Sequence, residues 1–386
     1  MAWSHLENRY NDDRVSSACG LFGFIDTTGQ MHDGQAAIEA LDSMKERGNG
    51  LGSGYAVYGC YPDLAEAYAL HVMCRTDQDR QEMEAYLRPH FTIVHDEPIP
   101  HWPVPGIDDA PIVWRFFCAP KLPEDGSFTA DEWVVHHVMY ANTHLEGAYI
   151  YSSGKNLGIF KGVGHPLQIA EFYGVADYAG YMWTAHNRFP TNTPGWWGGA
   201  HPFGLLDWSV VHNGEISSYG TNRRYLEMKG YHCTMQTDTE VMAYASDLLM
   251  RRHHLTPKMA ALVMASPLWN EIEVLSEKEQ QVCRAVRQTY GSLLMNGPFT
   301  IIIGRTGELI GLGDRIRLRP LVAATAGPIL YVSSEIAPVH LVETQVDAVW
   351  TPYGGEPVVG RLGEPPIAPR TASRNVTYAV KEPIYG

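Results

Sequence analysis

The sequence predicts an α+β fold in which antiparallel sheets stack face to face and helices lie outside them. Strand-like apolar runs fill the first and last parts of the chain, and the strongest helical patterns lie between them. Strands and helices therefore do not alternate as they do in a doubly wound parallel sheet. With 386 residues, 45% of them hydrophobic, the chain can bury a sizeable core.

The first predicted strand begins at a cysteine. Cys19 is followed by the apolar run 20–25 and a turn at 27–29. A helix follows, for which Asp33 is the expected cap, and Gly48 ends it. The glycine-rich loop 48–54 then leads from this helix into a strand, which is the reverse of the order in a dinucleotide-binding loop. We expect this loop to border a pocket.

The middle of the chain is predicted to leave the main sheet and return. Residues 62–133 read as an inserted lobe, with a helix around 78–87. The runs 148–151 and 157–160 are predicted to form a hairpin through the polar turn 152–156. Further strands are expected at 182–186, 208–212, 299–303, 308–311 and 330–333.

Three helices are predicted between these strands. Thr237 and Glu240 fit a capping box, Thr256 precedes a proline at a second helix start, and a third helix covers 277–289. The tail 351–386 is rich in Pro and Gly and is expected to run extended over a surface.

Composition narrows the class of partner. The net charge of -14 argues against nucleic acid and against anionic membrane. The six cysteines are scattered without a CxxC pair, so we expect this chain alone to bind neither an iron–sulfur cluster nor a structural zinc. No other metal and no cofactor is predicted in this chain. The adjacent histidine pairs at 136–137 and 253–254 are expected on the surface. Residues 1–18 contain acidic residues and lack the cationic and apolar parts of a secretory signal, so we expect a cytoplasmic protein.

Three downstream positions carry groups that suit an amino acid. Arg188 offers a planar fork for a carboxylate. Asn213-Gly214 is typical of a hairpin turn, but its side-chain amide and backbone N–H are also two donors for an oxyanion. Asp238 opens a helix, where the dipole favours any acid, and its carboxylate also suits an ammonium group. Purely structural roles stay open for all of these residues at this point.

Cys19 has two interpretations. Most single cysteines are small buried residues that pack like alanine. A cysteine at the head of a strand can instead be a nucleophile whose own α-amino group serves as the base, which requires cleavage of the Ala18–Cys19 bond.

Four motifs together carry a resemblance to a known family. They are Cys19, His186-Asn187-Arg188-Phe189-Pro190-Thr191-Asn192-Thr193, His212-Asn213-Gly214-Glu215-Ile216 and Thr237-Asp238-Thr239-Glu240. In this order they resemble the class-II glutamine amidotransferases, and they are most similar to the amidotransferase domain of glutamate synthase. The resemblance covers residues 19 to about 339. It implies the four-layer αββα sandwich of the N-terminal-nucleophile hydrolases over residues 19–350, with 1–18 as a propeptide.

The resemblance also implies roles for individual residues. Cys19 is the expected nucleophile, and Asn213 and Gly214 are the expected oxyanion hole. Arg188 and Asp238 are expected to bind the carboxylate and ammonium of L-glutamine. Arg47 at the pocket edge and Thr191 in the Arg188 segment complete the expected substrate-binding set.

The implied activity is hydrolysis of glutamine to glutamate and ammonia, with the ammonia passed to a partner. The chain lacks the motifs of a synthase, so we expect a hetero-oligomer with glutamate synthase-like subunits that carry FMN and iron–sulfur clusters. An amidotransferase subunit of N-methylglutamate synthase is the alternative within the class. An unprocessed scaffold or glutamine sensor, or a hydrolase of the same fold acting on another amide, are the alternatives outside it.

Overall fold

The computed structural model describes residues 18–189, 195–235 and 237–377. Its strands, in chain order, are β1 (Gly20–Asp26), β2 (His32–Asp33), β3 (Ser53–Tyr58), β4 (Tyr68–Cys74), β5 (Phe91–Pro98), β6 (Ile112–Pro120), β7 (Ala148–Ser152), β8 (Leu157–Gly162), β9 (Ala179–Gly180), β10 (Met182–Asn187), β11 (Phe203–Leu205), β12 (Trp208–Gly214), β13 (Phe299–Arg305), β14 (Glu308–Gly313), β15 (Val322–Ala326), β16 (Ile329–Ser333), β17 (Gln345–Trp350), β18 (Val358–Arg361) and β19 (Ser373–Thr377).

The α-helices lie around these strands. They are α1 (Gln35–Asp42), α2 (Asp77–His90), α3 (Ala130–His144), α4 (Pro166–Tyr173), α5 (Tyr219–Glu227), α6 (Asp238–Ser246), α7 (Pro257–Met264), α8 (Trp269–Glu273), α9 (Glu277–Tyr290) and α10 (Ala337–Val342). No helix among residues 18–189, 195–235 and 237–377 is long and apolar enough to cross a membrane.

The first strand lies in the middle of the largest sheet. This antiparallel sheet has eight strands in the order β19-β17-β15-β16-β1-β10-β3-β8. In β1, Leu21 pairs with His186 of β10 and Phe22 pairs with Ser333 of β16. Every residue of β1 is buried, because one face of the sheet meets helices and the other meets a second sheet. The position at which the strand begins is therefore held on both sides.

The second sheet stacks on the first. Its five antiparallel strands have the order β11-β12-β13-β14-β18. Val211 of β12 and Ile302 of β13 belong to the same apolar core as Leu21 and Phe24 of β1. Helices α1, α4 and α10 contact the outer face of the larger sheet, and α5 and α6 pack outside the smaller one. The predicted sandwich of two antiparallel sheets between helices is confirmed.

A third sheet stands beside the sandwich. Its four strands have the order β5-β6-β4-β7, and α2 and α3 pack against it. The predicted hairpin between β7 and β8 is wrong, because β7 pairs with β4 in this sheet whereas β8 pairs with β3 in the eight-stranded sheet. The turn at 152–156 carries the chain from one sheet to the other.

Three local predictions also differ from the structure. Helix α1 starts after Gly34, and Asp33 accepts the N–H of Gln35 just outside it. Thr237 caps α6, but the Glu240 carboxylate bonds to backbone N–H groups of the preceding loop, so no capping box forms. His137 is buried against Tyr86, because adjacent positions of a helix face different sides.

The division into propeptide, catalytic domain, lobe and tail stays a prediction. In the tail, β18 extends the five-stranded sheet and β19 adds the edge strand of the eight-stranded sheet.

Candidate active site

The Cys19 thiol meets the backbone that follows β10. Phe189 N–H donates to Cys19 Sγ at 3.4 Å, across 170 positions of sequence. Burial raises the pKa of the thiol, whereas this hydrogen bond and the charges of Arg188 and Arg319 lower it and the Asp238 carboxylate raises it further. The charges of Arg188 and Asp238 thus have opposite effects on the pKa of the Cys19 thiol.

Arg188 is enclosed by the glycine-rich loop. The residue is buried, and its N–H donates to Gly52 O at 2.8 Å. A Cβ added to Gly52 or Gly199 would lie 3.1 Å from Cδ or Nη1 of Arg188, respectively. The loop at 48–54 therefore packs closely against the predicted carboxylate-binding residue, and the φ of +145° at Gly52 would strain any side chain there.

Asn213 and Gly214 end β12 on the second sheet. Asn213 is fully buried, and neither Oδ1 nor Nδ2 has a hydrogen-bond partner among the described residues. Buried polar side-chain atoms nearly always have a partner, so such an exception calls for an explanation. Gly214 has φ +144°, and a Cβ there would collide with Pro298 O. The backbone at this position therefore requires glycine.

Asp238 lies at the first position of α6, and both of its carboxylate oxygens are contacted. Ile216 N–H donates to Oδ2 at 3.0 Å, and His212 Nδ1 lies 3.3 Å from Oδ1. Burial raises the pKa of Asp238, but the charge of His212 and the hydrogen bonds outweigh it, so the pKa is lowered below 3.8. The carboxylate is ionised at neutral pH.

Arg47 joins the start of β1 to the end of β16. Its Nε donates to Cys19 O at 3.1 Å, and its Nη1 bonds to the Glu335 carboxylate. Arg47 therefore lies beside Cys19, and its role in substrate binding stays a prediction. Thr191, which we predict as a substrate-binding residue, lies outside the described residues.

The charges of an arginine and a carboxylate act on the thiol at the start of β1, and a buried amide without a partner among the described residues lies near the end of β12. These groups match the charges of an α-amino acid and the oxygen of a carboxamide that is under attack. Residues 123–350 match the family of class-II glutamine amidotransferases. The chain belongs to this family.

Relatives of this amidotransferase differ in length. An uncharacterized protein of Archaeoglobus fulgidus is 52% identical over 91% of this chain and 94% of its own length. The glutamine–fructose-6-phosphate aminotransferase of Vibrio vulnificus is 30% identical over 45% of this chain, and the match covers 26% of that enzyme. Glutamine phosphoribosylpyrophosphate amidotransferase from B. subtilis aligns at a TM-score of 0.43 and 15% identity, over 89% of this chain and 49% of that one.

Two groups of the amidotransferase site were not predicted from the sequence. The Phe189 N–H contacts the sulfur, and the Arg319 charge acts on it. Arg319 belongs to a loop that wraps the buried Asp314 carboxylate, which accepts the N–H groups of Ile316 and Leu318. Only the tertiary fold brings this loop near Cys19. The position of Phe189 could have been found locally, because Phe189 directly follows Arg188 at the end of a predicted apolar strand.

Within the described part of the amidotransferase, no three His, Cys, Asp or Glu side chains cluster as metal ligands.

Proposed function

We propose that this chain is the glutaminase subunit of a glutamate synthase-like complex. It hydrolyses L-glutamine to glutamate and ammonia, and the ammonia passes to a synthase subunit. The observation that carries the proposal is the environment of Cys19: its sulfur accepts a backbone N–H, and the charges of two arginines and one carboxylate act on it.

Substrate binding uses the two charges of the amino acid. The Arg188 guanidinium binds the α-carboxylate through paired hydrogen bonds. The Asp238 carboxylate, which is ionised because its pKa is lowered, binds the α-ammonium. With both charges held, the side-chain carboxamide lies over the Cys19 sulfur.

The base in this mechanism is the α-amino group of Cys19, freed by cleavage after Ala18. Its ordinary pKa of about 7.7 to 8.0 suits proton transfer at neutral pH. It takes the proton of the Cys19 thiol as the sulfur attacks the carboxamide carbon. The thiol holds this proton near neutral pH because burial raises its pKa.

The C–S bond forms while the carbonyl oxygen becomes an oxyanion, which the Asn213 amide and the Gly214 N–H stabilise. The C–N bond then breaks, and the nitrogen leaves as ammonia with the proton returned by the α-ammonium group. Water attacks the resulting γ-glutamyl thioester, releases glutamate and restores the thiol. One such oxyanion donor typically contributes about 3 to 4 kcal/mol.

The partners of this proposal are chains that carry the synthase reaction with FMN and iron–sulfur clusters, and the acceptor of ammonia is 2-oxoglutarate. No second active site was recognised in the sequence, so we expect glutamine hydrolysis by the isolated chain to be slow until a synthase chain binds.

The test combines the N-terminus and the activity of one preparation. The intact mass and N-terminal sequence of the protein from its native source are measured together with ammonia release from glutamine. The proposal expects a chain that starts at Cys19, releases ammonia and loses this activity in Cys19→Ala. Cys60→Ala is the matched control, since Cys60 is also partly buried but its thiol contacts Val57 O instead.

A chain that retains residues before Cys19, binds glutamine and releases no ammonia would instead identify a glutamine sensor. Ammonia release that persists in Cys19→Ala would refute the proposed nucleophile.

A further inference from the structure

A chain of buried histidines links the two stacked sheets behind the candidate site. His186 belongs to β10 of the larger sheet and His212 to β12 of the smaller one. His201 lies between them, with its Nδ1 3.0 Å from His186 Nε2 and its Nε2 3.1 Å from Thr239 Oγ1. Thr239 Oγ1 lies 3.2 Å from His212 Nδ1. All four side chains are buried, so water does not compete for these bonds.

The proton positions in this chain follow from its one fixed acceptor. His186 Nε2 lies 2.9 Å from His212 O, and a carbonyl can only accept, so Nε2 of His186 carries the hydrogen. His201 Nδ1, which faces the same nitrogen, must then accept. Burial lowers the pKa of His186 to about 3 and that of His201 well below its ordinary value, so both rings are neutral. The hydrogen of neutral His201 is on Nε2 and points to Thr239.

The same reasoning fixes His212. Its Nδ1 lies 3.3 Å from Asp238 Oδ1, and an ionised carboxylate only accepts, so Nδ1 carries the hydrogen. Thr239 Oγ1 lies within hydrogen-bond distance of both His212 Nδ1 and His201 Nε2. The other carboxylate oxygen of Asp238 accepts from Ile216 N–H. The direction of the Asp238 carboxylate is thus set by two donors from the segment that also carries Asn213.

The two outer histidines hold different groups of the site. His186 bonds to the carbonyl of the peptide that joins His212 to Asn213, and this peptide plane determines where the Asn213 side chain begins. Nδ1 of His212 lies in ion-pair contact with the Asp238 carboxylate, at 3.3 Å from Oδ1. We propose that His186 and His212 are positioning residues, of which His186 orients the oxyanion-binding Asn213 through its peptide and His212 aims the ammonium-binding Asp238.

This inference rests on the proposed function for the roles of Asn213 and Asp238. It predicts that the two histidines affect different kinetic constants. Loss of the His212 contact weakens the binding of glutamine and raises KM. Loss of the His186 contact misplaces a group that acts in the transition state and lowers kcat. A merely structural role would affect both constants together, or neither.

Paired amide variants test which ring nitrogen matters. The side-chain amide of Asn lies near the position of a histidine Nδ1, and that of Gln lies near Nε2. His212→Asn keeps a donor toward Asp238, whereas His212→Gln does not. We expect His212→Gln to raise KM for glutamine about 10-fold or more, as for a lost hydrogen bond to a charged group, and His212→Asn to stay close to the native value.

At His186 the expected order of the Asn and Gln variants is reversed. His186→Gln keeps a donor near Nε2 and should retain kcat, whereas His186→Asn should lower kcat on the order of 10-fold to 100-fold with little change in KM. Thermal unfolding of all four variants identifies any that fail to fold. If only one pair folds, that pair still tests the predicted order of Asn and Gln for its own histidine.

The outcomes separate this inference from the proposed function. A native chain that neither hydrolyses nor binds glutamine in calorimetry would refute the proposed function. A native chain that hydrolyses glutamine, with Asn and Gln variants equal at each histidine, would leave that function intact and overturn the positioning roles.

Discussion

Removal of the Asn213 amide should reduce catalysis without reducing stability. Asn213→Ala deletes an oxyanion donor, and such deletions lower kcat about 100-fold to 1000-fold, which is about 2.7 to 4 kcal/mol of transition-state energy. In the resting protein, however, both polar atoms of this side chain are buried without a partner among the described residues. The folded state therefore loses no hydrogen bond when they are removed.

The stability change can be estimated from the same observation. A buried polar group left unsatisfied destabilises a fold by about 1 to 3 kcal/mol. Deleting the amide relieves this cost for two atoms, and the small cavity that remains offsets part of the gain. We expect the free energy of unfolding of Asn213→Ala to equal that of the native protein or to exceed it by about 1 kcal/mol.

Asn222→Ala is the matched control. Asn222 is equally buried, but its Nδ2 donates to Ser292 O at 2.6 Å and its Oδ1 accepts from Ser218 Oγ at 2.7 Å. This variant leaves those partners unsatisfied and should lose about 1 to 3 kcal/mol of stability with native kcat.

The assays are urea unfolding and ammonia release with varied glutamine. If Asn213→Ala loses as much stability as Asn222→Ala and keeps its kcat, the amide has a structural role and the reasoning is refuted.

Three further changes have defined outcomes. Asp238→Asn should raise KM for glutamine about 10-fold or more, and an unchanged KM in this variant would remove Asp238 from the site. Because the pKa of Asp238 is lowered below 3.8, the KM of the native protein should stay constant as pH falls from neutral toward that value. Burial lowers the pKa of Lys161 from 10.5 to about 7, so between pH 7 and 10.5 the unfolded chain binds more protons than the folded one. The free energy of unfolding of the native protein should therefore rise more steeply with pH than that of Lys161→Met, and equal pH dependence of the two in urea unfolding would contradict this. In a chain that retains residues 1–18, iodoacetamide should modify Cys19 more slowly than free cysteine near neutral pH, because the thiol pKa is raised; mass spectrometry of the labelled peptide measures the rate.

Much of the candidate site was predictable because its signals are local. A strand that starts at Cys19, an arginine just after β10 and Asn-Gly at the end of β12 can each be read from a short stretch. Asp238 at the start of α6 follows in the same way from the Thr237 cap. What these residues bind or catalyse stays a prediction, and Thr191 stays one without a described position.

Features that depend on competition between distant partners were not predictable. The turn between β7 and β8 has the composition of a hairpin, but each strand finds a better partner in a different sheet. Glu240 has the spacing of a capping box, yet it satisfies the N–H groups of residues 234 and 235 instead. His186 and His212 begin two of the quoted motifs, but their contacts with His201 and Thr239 have no sequence signal, because the partners of a buried histidine depend on the tertiary fold.

The central place of β1 in its sheet has a consequence for biosynthesis. Its two neighbours are contributed late: Phe189 N–H bonds across 170 positions to Cys19, and Ser333 Oγ bonds across 312 positions to Leu21. Such long-range pairing forms slowly, and the pairing with β16 cannot form before residue 333 has left the ribosome. The thiol therefore stays outside its finished pocket until β16 has been synthesised, and a cleavage after Ala18 that needs the folded pocket would have to follow that step.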